Sequence, residues 1–227
     1  MGLYTSHHLT ARHTPVPGMF MAFVRWFCRL KVEGREHVPT RGGFVLAANH
    51  ASHADTAVVF ASLQPDQRRS IVAAAAQDYF FDNGLRQYVA RVLFNGVPVA
   101  RRMSRNQDPL RHVVRAIREG YGVLLFPEGT RSLSGTVGAF RSGIGRLIAE
   151  FPGLPIIPTA LCGTAEVLPK RAVLPKRQHV TVRFGEPLCG LRADRTNRDT
   201  WQSAADEVRA AVLSLLGAPS PELTGQT

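Results

Sequence analysis

The segment NHASHAD, residues 49–55, crowds two histidines, a serine and an aspartate behind an apolar run, Phe44 to Ala48, that reads as a buried strand. His50 and Asp55 are five positions apart, one too many for two side chains stacked on a helix. If His50 stands on the turn leaving the strand and Asp55 in the first turn of the next helix, the chain folds back and carboxylate meets imidazole. A carboxylate on Nδ1 fixes the other ring nitrogen as a neutral acceptor and stabilises the imidazolium once a proton arrives. That is a general base, worth roughly 10² to 10⁴ in rate. Two other chemistries are open to the same residues. His50, His53 and Asp55 could ligate a metal, although no third nitrogen or sulfur ligand recurs at a typical spacing. Ser52 or Asp55 could instead hold backbone amides as a helix cap.

A second cluster, VLLFPEGTRS at 123–132, is again an apolar strand, breaking at Pro127 into Glu128, Gly129, Thr130, Arg131 and Ser132. A carboxylate, hydroxyls, a small residue and a guanidinium at a strand end suit a small, polar, anionic ligand. A turn closed by a local ion pair would account for one such cluster, but not for two at separate strand ends. In open α/β sheets ligands bind beyond the carboxyl ends of the strands. If both ends face one crevice, His50, Asp55, Glu128 and Arg131 line it. Between them NGVPVARR, 95–102, ends in Arg101 and Arg102, and AFRSGIG, 139–145, sets Arg141 at a helix start; both are places for a phosphate. The chain has neither a G-x-S-x-G elbow nor a G-x-x-x-x-G-K-[ST] phosphate loop.

The elements that must position these residues alternate. Strand-like runs occupy 44–48, 71–76, 96–100, 123–126, 154–161 and 180–184, with helical segments between them. The clearest helix is DPLRHVVRAIREG, with Asp108 as N-cap, Pro109 at the first helical position and Gly120 as C-cap. Another runs from Trp201 to Leu216. This pattern predicts a single α/β domain whose mostly parallel or mixed sheet is flanked by helices. We divide the chain into a flexible N-terminus (1–17), an amphipathic helix (18–34), the main domain (35–216) and a disordered tail (217–227). In the amphipathic segment Met19, Phe20, Phe23, Val24, Phe27 and Leu30 follow helical spacing, with Trp26, Arg25 and Arg29 on the remaining arc. It is too short to span a bilayer core of about 30 Å, but it suits packing on the domain or lying in a membrane interface.

The 227 residues are 44% hydrophobic, enough to bury a sizeable core, and the formal net charge of +11 implies an anionic partner: nucleic acid, an acidic membrane or a phosphorylated substrate. Three widely spaced cysteines, Cys28, Cys162 and Cys189, have no C-x-x-C pair and fit buried thiols in a reducing compartment. The N-terminal residues lack the order of a signal peptide. VLPKR occurs at 167–171 and again at 173–177, a basic loop that is either solvated surface or a headgroup contact.

The ordered set NHASHAD, GVPVAR, FPEGTRS and IIPTAL resembles the glycerolipid acyltransferase family that includes the 1-acyl-glycerol-3-phosphate acyltransferases, over roughly residues 35–190. The resemblance implies a glycerol-3-phosphate acyltransferase-like fold. It implies transfer of an acyl chain from acyl-CoA or acyl carrier protein to a lysophospholipid hydroxyl, with phosphatidic acid as the product and no metal or other cofactor. Carried over by position, His50 is the base, Asp55 orients it, and Arg101 and Arg131 hold the acceptor phosphate. Glu128, Gly129 and Thr130 shape acceptor binding, and Pro158 lies nearer the acyl donor. The second block departs from the family pattern at Pro98 and Ala100 and offers Arg102 as a substitute for Arg101. The chain also lacks the long hydrophobic spans of membrane-embedded relatives, so the expected location is peripheral, on the cytoplasmic face of an anionic membrane. Other lysolipids, an ornithine lipid or a glycolipid are alternative acceptors. A noncatalytic basic module that binds membrane or nucleic acid by charge is the alternative of another class; no nucleic acid is expected on the enzyme reading.

Overall fold

The computed structural model describes residues 16–76, 93–94, 96–99, 108–132, 136–168 and 175–218. In chain order the elements are α1 (Val16–Phe27), β1 (Lys31–Glu33), a 3-10 turn (Arg35–His37), β2 (Phe44–Ala48), α2 (Asp55–Ser62), α3 (Pro65–Arg69), β3 (Ile71–Ala76) and β4 (Val97–Val99). They continue with α4 (Arg111–Arg118), β5 (Gly122–Leu125), α5 (Gly143–Glu150), β6 (Ile156–Cys162), α6 (Thr164–Val167), β7 (Thr181–Phe184) and α7 (Arg198–Gly217). The strands form one sheet in the order β1-β7-β6-β2-β5-β3-β4. Strands β6, β2, β5, β3 and β4 are parallel; β7 runs antiparallel to β6, and β1 parallel to β7. The mixed α/β sheet expected from the alternating pattern is what the chain builds.

An apolar run without a polar break is buried on both faces, and β2 is the central example: all five of its residues are fully buried. Its side chains alternate between two cores. Phe44, Leu46 and Ala48 pack with Met21, Val24, Val58 and Phe60 of α1 and α2. Val45 and Ala47 pack with Val113, Ile117, Ile144, Leu147, Val208 and Val212 of α4, α5 and α7. Helices therefore cover the sheet on both sides, leaving the strand ends as the open place for polar residues.

The N-terminal helix differs from the expected 18–34. It ends at Phe27, where Leu30 N bonds to Arg25 O (3.0 Å) and Arg29 N to Trp26 O (3.3 Å), with Arg29 at φ 41°. This is a left-handed helix terminus made by an arginine where glycine is usual. The next residues leave the helix because β7 offers β1 a partner, with Lys31 opposite Thr181 and Glu33 opposite Arg183. Arg183, itself buried, donates from Nε to Glu33 (2.8 Å) and from Nη1 to Leu215 O (2.8 Å). The expected apolar arc also divides, Val24 being buried while Met19 and Phe23 are 68% and 53% exposed; off that arc Met21 and Cys28 are buried and Trp26 is 60% exposed.

Helix α4 begins three residues after the expected cap. Asp108 accepts from Leu110 N (3.0 Å) and so caps the turn ahead of the helix, while Arg146 also donates to it (2.7 Å). At the other end Gly120, at φ 81°, donates to Ile117 O, and Tyr121 N donates to Ala116 O, the closure expected of a glycine just past a helix. The remaining strand bounds move by one or two residues at either end; residues 1–15 and 219–227, which hold most of the expected flexible segments, lie outside the described residues, and residue 217 closes α7.

All three cysteines are free: Cys28 buried, Cys162 half-buried and Cys189 exposed. Burial pushes the Cys28 and Cys162 thiols up. Iodoacetamide near neutral pH is expected to modify Cys189 at least about tenfold faster than Cys28, because the thiolate is the reacting form. Peptide mass mapping over time reads the order, and equal labelling would mean that α1 leaves the domain.

Candidate active site

Helix α2 starts at Asp55, so the six residues from Asn49 to Ala54 form a tight turn out of β2, and the aspartate is fully buried in the first helical turn. Its Oδ2 lies 2.7 Å from His50 Nδ1 and accepts from Ala51 N and Ser52 N, each at 2.8 Å. The base and the cap of the sequence reading are thus one device: the carboxylate that orients the imidazole also satisfies the turn's amides. Asp55 Oδ1 is buried and has no hydrogen-bond partner among the described residues, which leaves Oδ2 as the side of the carboxylate that is bonded. The His50 ring stacks on Phe126, centroids 4.2 Å apart and planes at 21°. The imidazole is thus gripped at Nδ1 and on one face, with its side chain 22% exposed.

The sheet register brings the second cluster alongside. Ala47 is opposite Leu125, and three residues further on the same register sets His50 level with Glu128. His50 N donates to Glu128 Oε1 and Ser132 N donates to His50 O, both at 2.8 Å, so both main-chain groups of the histidine are held by FPEGTRS. The other oxygen of Glu128 accepts from Gly138 N (2.9 Å), while Arg209 of α7 fixes that segment through Val137 O and Gly138 O. Glu128 is therefore a buried clasp between two loops, both of its oxygens turned to backbone amides.

Gly129 follows at φ 69°, where Arg141 lies so close that a Cβ would fall 2.6 Å from its Nε. Arg141 Nε donates to Glu128 O (3.2 Å). Thr130 is exposed and Arg131 half-buried at the rim of this turn, and no carboxylate among the described residues pairs with Arg131. Pro158 is placed deeper than a strand-end residue: it is buried in β6, level with Ala47, and its carbonyl accepts from Gly185 N (2.8 Å). Arg101 and Arg102 lie outside the described residues. His53 is exposed on the turn before α2, and no group of three or more His, Cys, Asp or Glu among the described residues could hold a metal ion.

Asn49 has no role in the sequence reading, and Ser52 has there only that of a cap. Asn49 is buried and bonds Leu161 in both directions, accepting from its N (2.8 Å) and donating to its O (3.1 Å). It extends the β2–β6 pairing past the end of the strand and so fixes where His50 emerges. Ser52 Oγ donates to Leu168 O (3.3 Å) and accepts from Ala54 N, tying the catalytic turn to the segment after α6. The only signal for Asn49 was its place, a polar residue directly after five apolar ones.

The α/β sheet thus delivers an Asp-bound histidine and a clasped acidic loop to one edge. A family model described as Acyltransferase matches residues 29–162, more than half of the chain, and the protein belongs to that family. The chain is 28% identical over 178 residues to the chloroplastic 1-acyl-sn-glycerol-3-phosphate acyltransferase BAT2 of Brassica napus, covering 74% of this chain and 47% of that one. It thus spans about half the length of the plant relatives it matches. To the 1-acyl-sn-glycerol-3-phosphate acyltransferase of Bacillus subtilis (strain 168) it is 27% identical over 161 residues, 70% of this chain and 73% of the relative. The crystal structure of the 1-acyl-sn-glycerophosphate (LPA) acyltransferase PlsC from Thermotoga maritima shares the fold, with a TM-score of 0.67 at 23% identity over 96% of this chain and 86% of that one. Among the described residues no helix is long and apolar enough to cross a membrane.

Proposed function

We propose that the protein transfers a fatty acyl chain from acyl-CoA or acyl carrier protein to the free hydroxyl of 1-acyl-glycerol-3-phosphate, giving phosphatidic acid in phospholipid biosynthesis. The observation that carries this reading is the 2.7 Å contact between His50 and buried Asp55, held level with FPEGTRS. His50 Nε2 takes the hydroxyl proton as the oxygen adds to the thioester carbonyl. The tetrahedral intermediate collapses by breaking the carbon–sulfur bond, and the imidazolium returns its proton to the departing thiolate. A thioester is already activated, so the reaction draws on base catalysis and orientation and needs no cofactor beyond the donor.

Arg131 supplies a guanidinium for the acceptor phosphate, the role the resemblance also gives to Arg101. Gly129 and Thr130 shape the acceptor's approach beside it, and Pro158 contributes to the buried wall on the donor side. The acceptor lives in a bilayer, and the exposed Met19, Phe23 and Trp26 of α1 support docking on the anionic cytoplasmic face of a membrane.

Labelled acyl-CoA offered with glycerol-3-phosphate, lysophosphatidic acid, neutral lysolipids and an ornithine lysolipid tests the assignment through product identity. Arg131→Ala is expected to raise KM for lysophosphatidic acid by roughly 10- to 100-fold, the loss of one charge-assisted contact of about 1.5–3 kcal/mol. KM for a neutral lysolipid, if one is used, stays unchanged; an unaltered KM for the phosphate-bearing acceptor would remove Arg131 from that role.

A further inference from the structure

Resting on the membrane-docking reading above, we infer that Arg25, Trp26, Arg29 and Arg177 form a pocket that seats the phosphate of an anionic bilayer lipid, apart from the acyltransfer site. The four residues, with Ala22 and Leu30, line an open cavity of about 540 Å³ at the C-terminal end of α1. The Arg177 guanidinium lies 4.5 Å over the Trp26 ring, and Arg29 Nη1 is 2.8 Å from His179 Nε2. Arg25 donates to Ala61 O (2.9 Å). The three guanidiniums are thus steered by a backbone carbonyl, an imidazole and an indole ring, and no carboxylate among the described residues pairs with any of them. Steered but unneutralised cations are what an anion site requires.

Arg29 adds a second, independent sign. It occupies the left-handed terminus of α1 at φ 41°, where a non-glycine residue costs about 1–2 kcal/mol, yet its side chain is aimed into the cavity. The occupant follows from the neighbours: Met19, Phe23 and Trp26 stand exposed on the same helix, and apolar side chains beside guanidiniums match the boundary between headgroups and acyl chains. Duplex nucleic acid would offer Met19 and Phe23 nothing.

The sheet sets the pocket on the edge where His50 emerges. Lys31 and Cys162 both pair with Thr181, and Cys162 lies three residues past Thr159, the partner of Ala48. Arg29, Arg177 and His179 therefore lie beyond the same edge as His50, Arg29 three strands across and Arg177 and His179 two, about 14 Å and about 10 Å at the usual spacing. A headgroup held there would turn the crevice toward the leaflet that carries the acceptor.

The test measures sedimentation of the full chain with phosphatidylcholine vesicles and with vesicles in which phosphatidylglycerol replaces part of the phosphatidylcholine. Wild type is expected to prefer the anionic vesicles, and Arg29→Gln/Arg177→Gln to bind them about 30-fold more weakly, roughly fivefold for each guanidinium near an anionic surface. Arg177→Gln alone gives the fivefold step, and an unchanged thermal midpoint shows that the variants are folded. A double variant that binds anionic vesicles as tightly as wild type overturns the pocket alone. Wild type that ignores both kinds of vesicle overturns the pocket and the docking reading together. Binding is read without turnover, so the outcome of the acceptor assay does not bear on it.

Discussion

Alanine in place of His50 is expected to lower kcat by about 10² to 10⁴, the range a positioned general base supplies. The fold should survive, because Asp55 Oδ2 keeps the amides of Ala51 and Ser52 when the imidazole is gone. Asp55→Asn is the companion variant. The amide can keep its oxygen on the donors that Oδ2 serves but loses the negative charge that stabilises the imidazolium, and a fall in kcat of roughly 10² or more is expected. Single-turnover assays with saturating donor and acceptor measure both. Turnover by His50→Ala within a few-fold of wild type would show that another group takes the proton.

Glu128 should give the largest combined effect on stability and rate. Glu128→Ala leaves two half-buried amides, those of His50 and Gly138, without their acceptor, at a cost of about 1–3 kcal/mol each. For a chain of this size that is a fall in Tm of roughly 4–20 °C. Glu128→Gln separates clasp from substrate contact, since its amide oxygen can keep one bond while its NH₂ opposes the other N–H. As a clasp it acts through His50, and a misplacement of about 1 Å can cost on the order of 10² in rate, so kcat falls while KM for the acceptor holds. A raised KM with kcat intact would mean that Glu128 touches the acceptor instead.

What the sequence could show depended on whether a residue's type carries its role. Strands β2 and β3 have the bounds expected from their apolar runs, because burial on two faces demands such a run. The contact of His50 with Asp55 was legible from a spacing too long for one helix and right for a turn entering another. The partners of Glu128 were not legible: they are backbone amides, which every residue except proline carries, and they lie 78 and 10 positions away. Lys31–Glu33, three residues with two charges, has no strand period of its own and falls within the expected helix 18–34; β7, remote in the chain, makes it a strand. The division of the α1 apolar arc was hidden for a similar reason, since periodicity marks an apolar surface without stating how much of it a neighbour will cover.

The pairing of β1 with β7 also bears on how the molecule is made. Glu33 and its partner Arg183 are 150 positions apart, so on the ribosome the first strand waits for most of the polypeptide to emerge before it can dock. Until then the amphipathic helix ahead of it has no edge to anchor its end, and its greasy side stays available to whatever surface the nascent chain meets first.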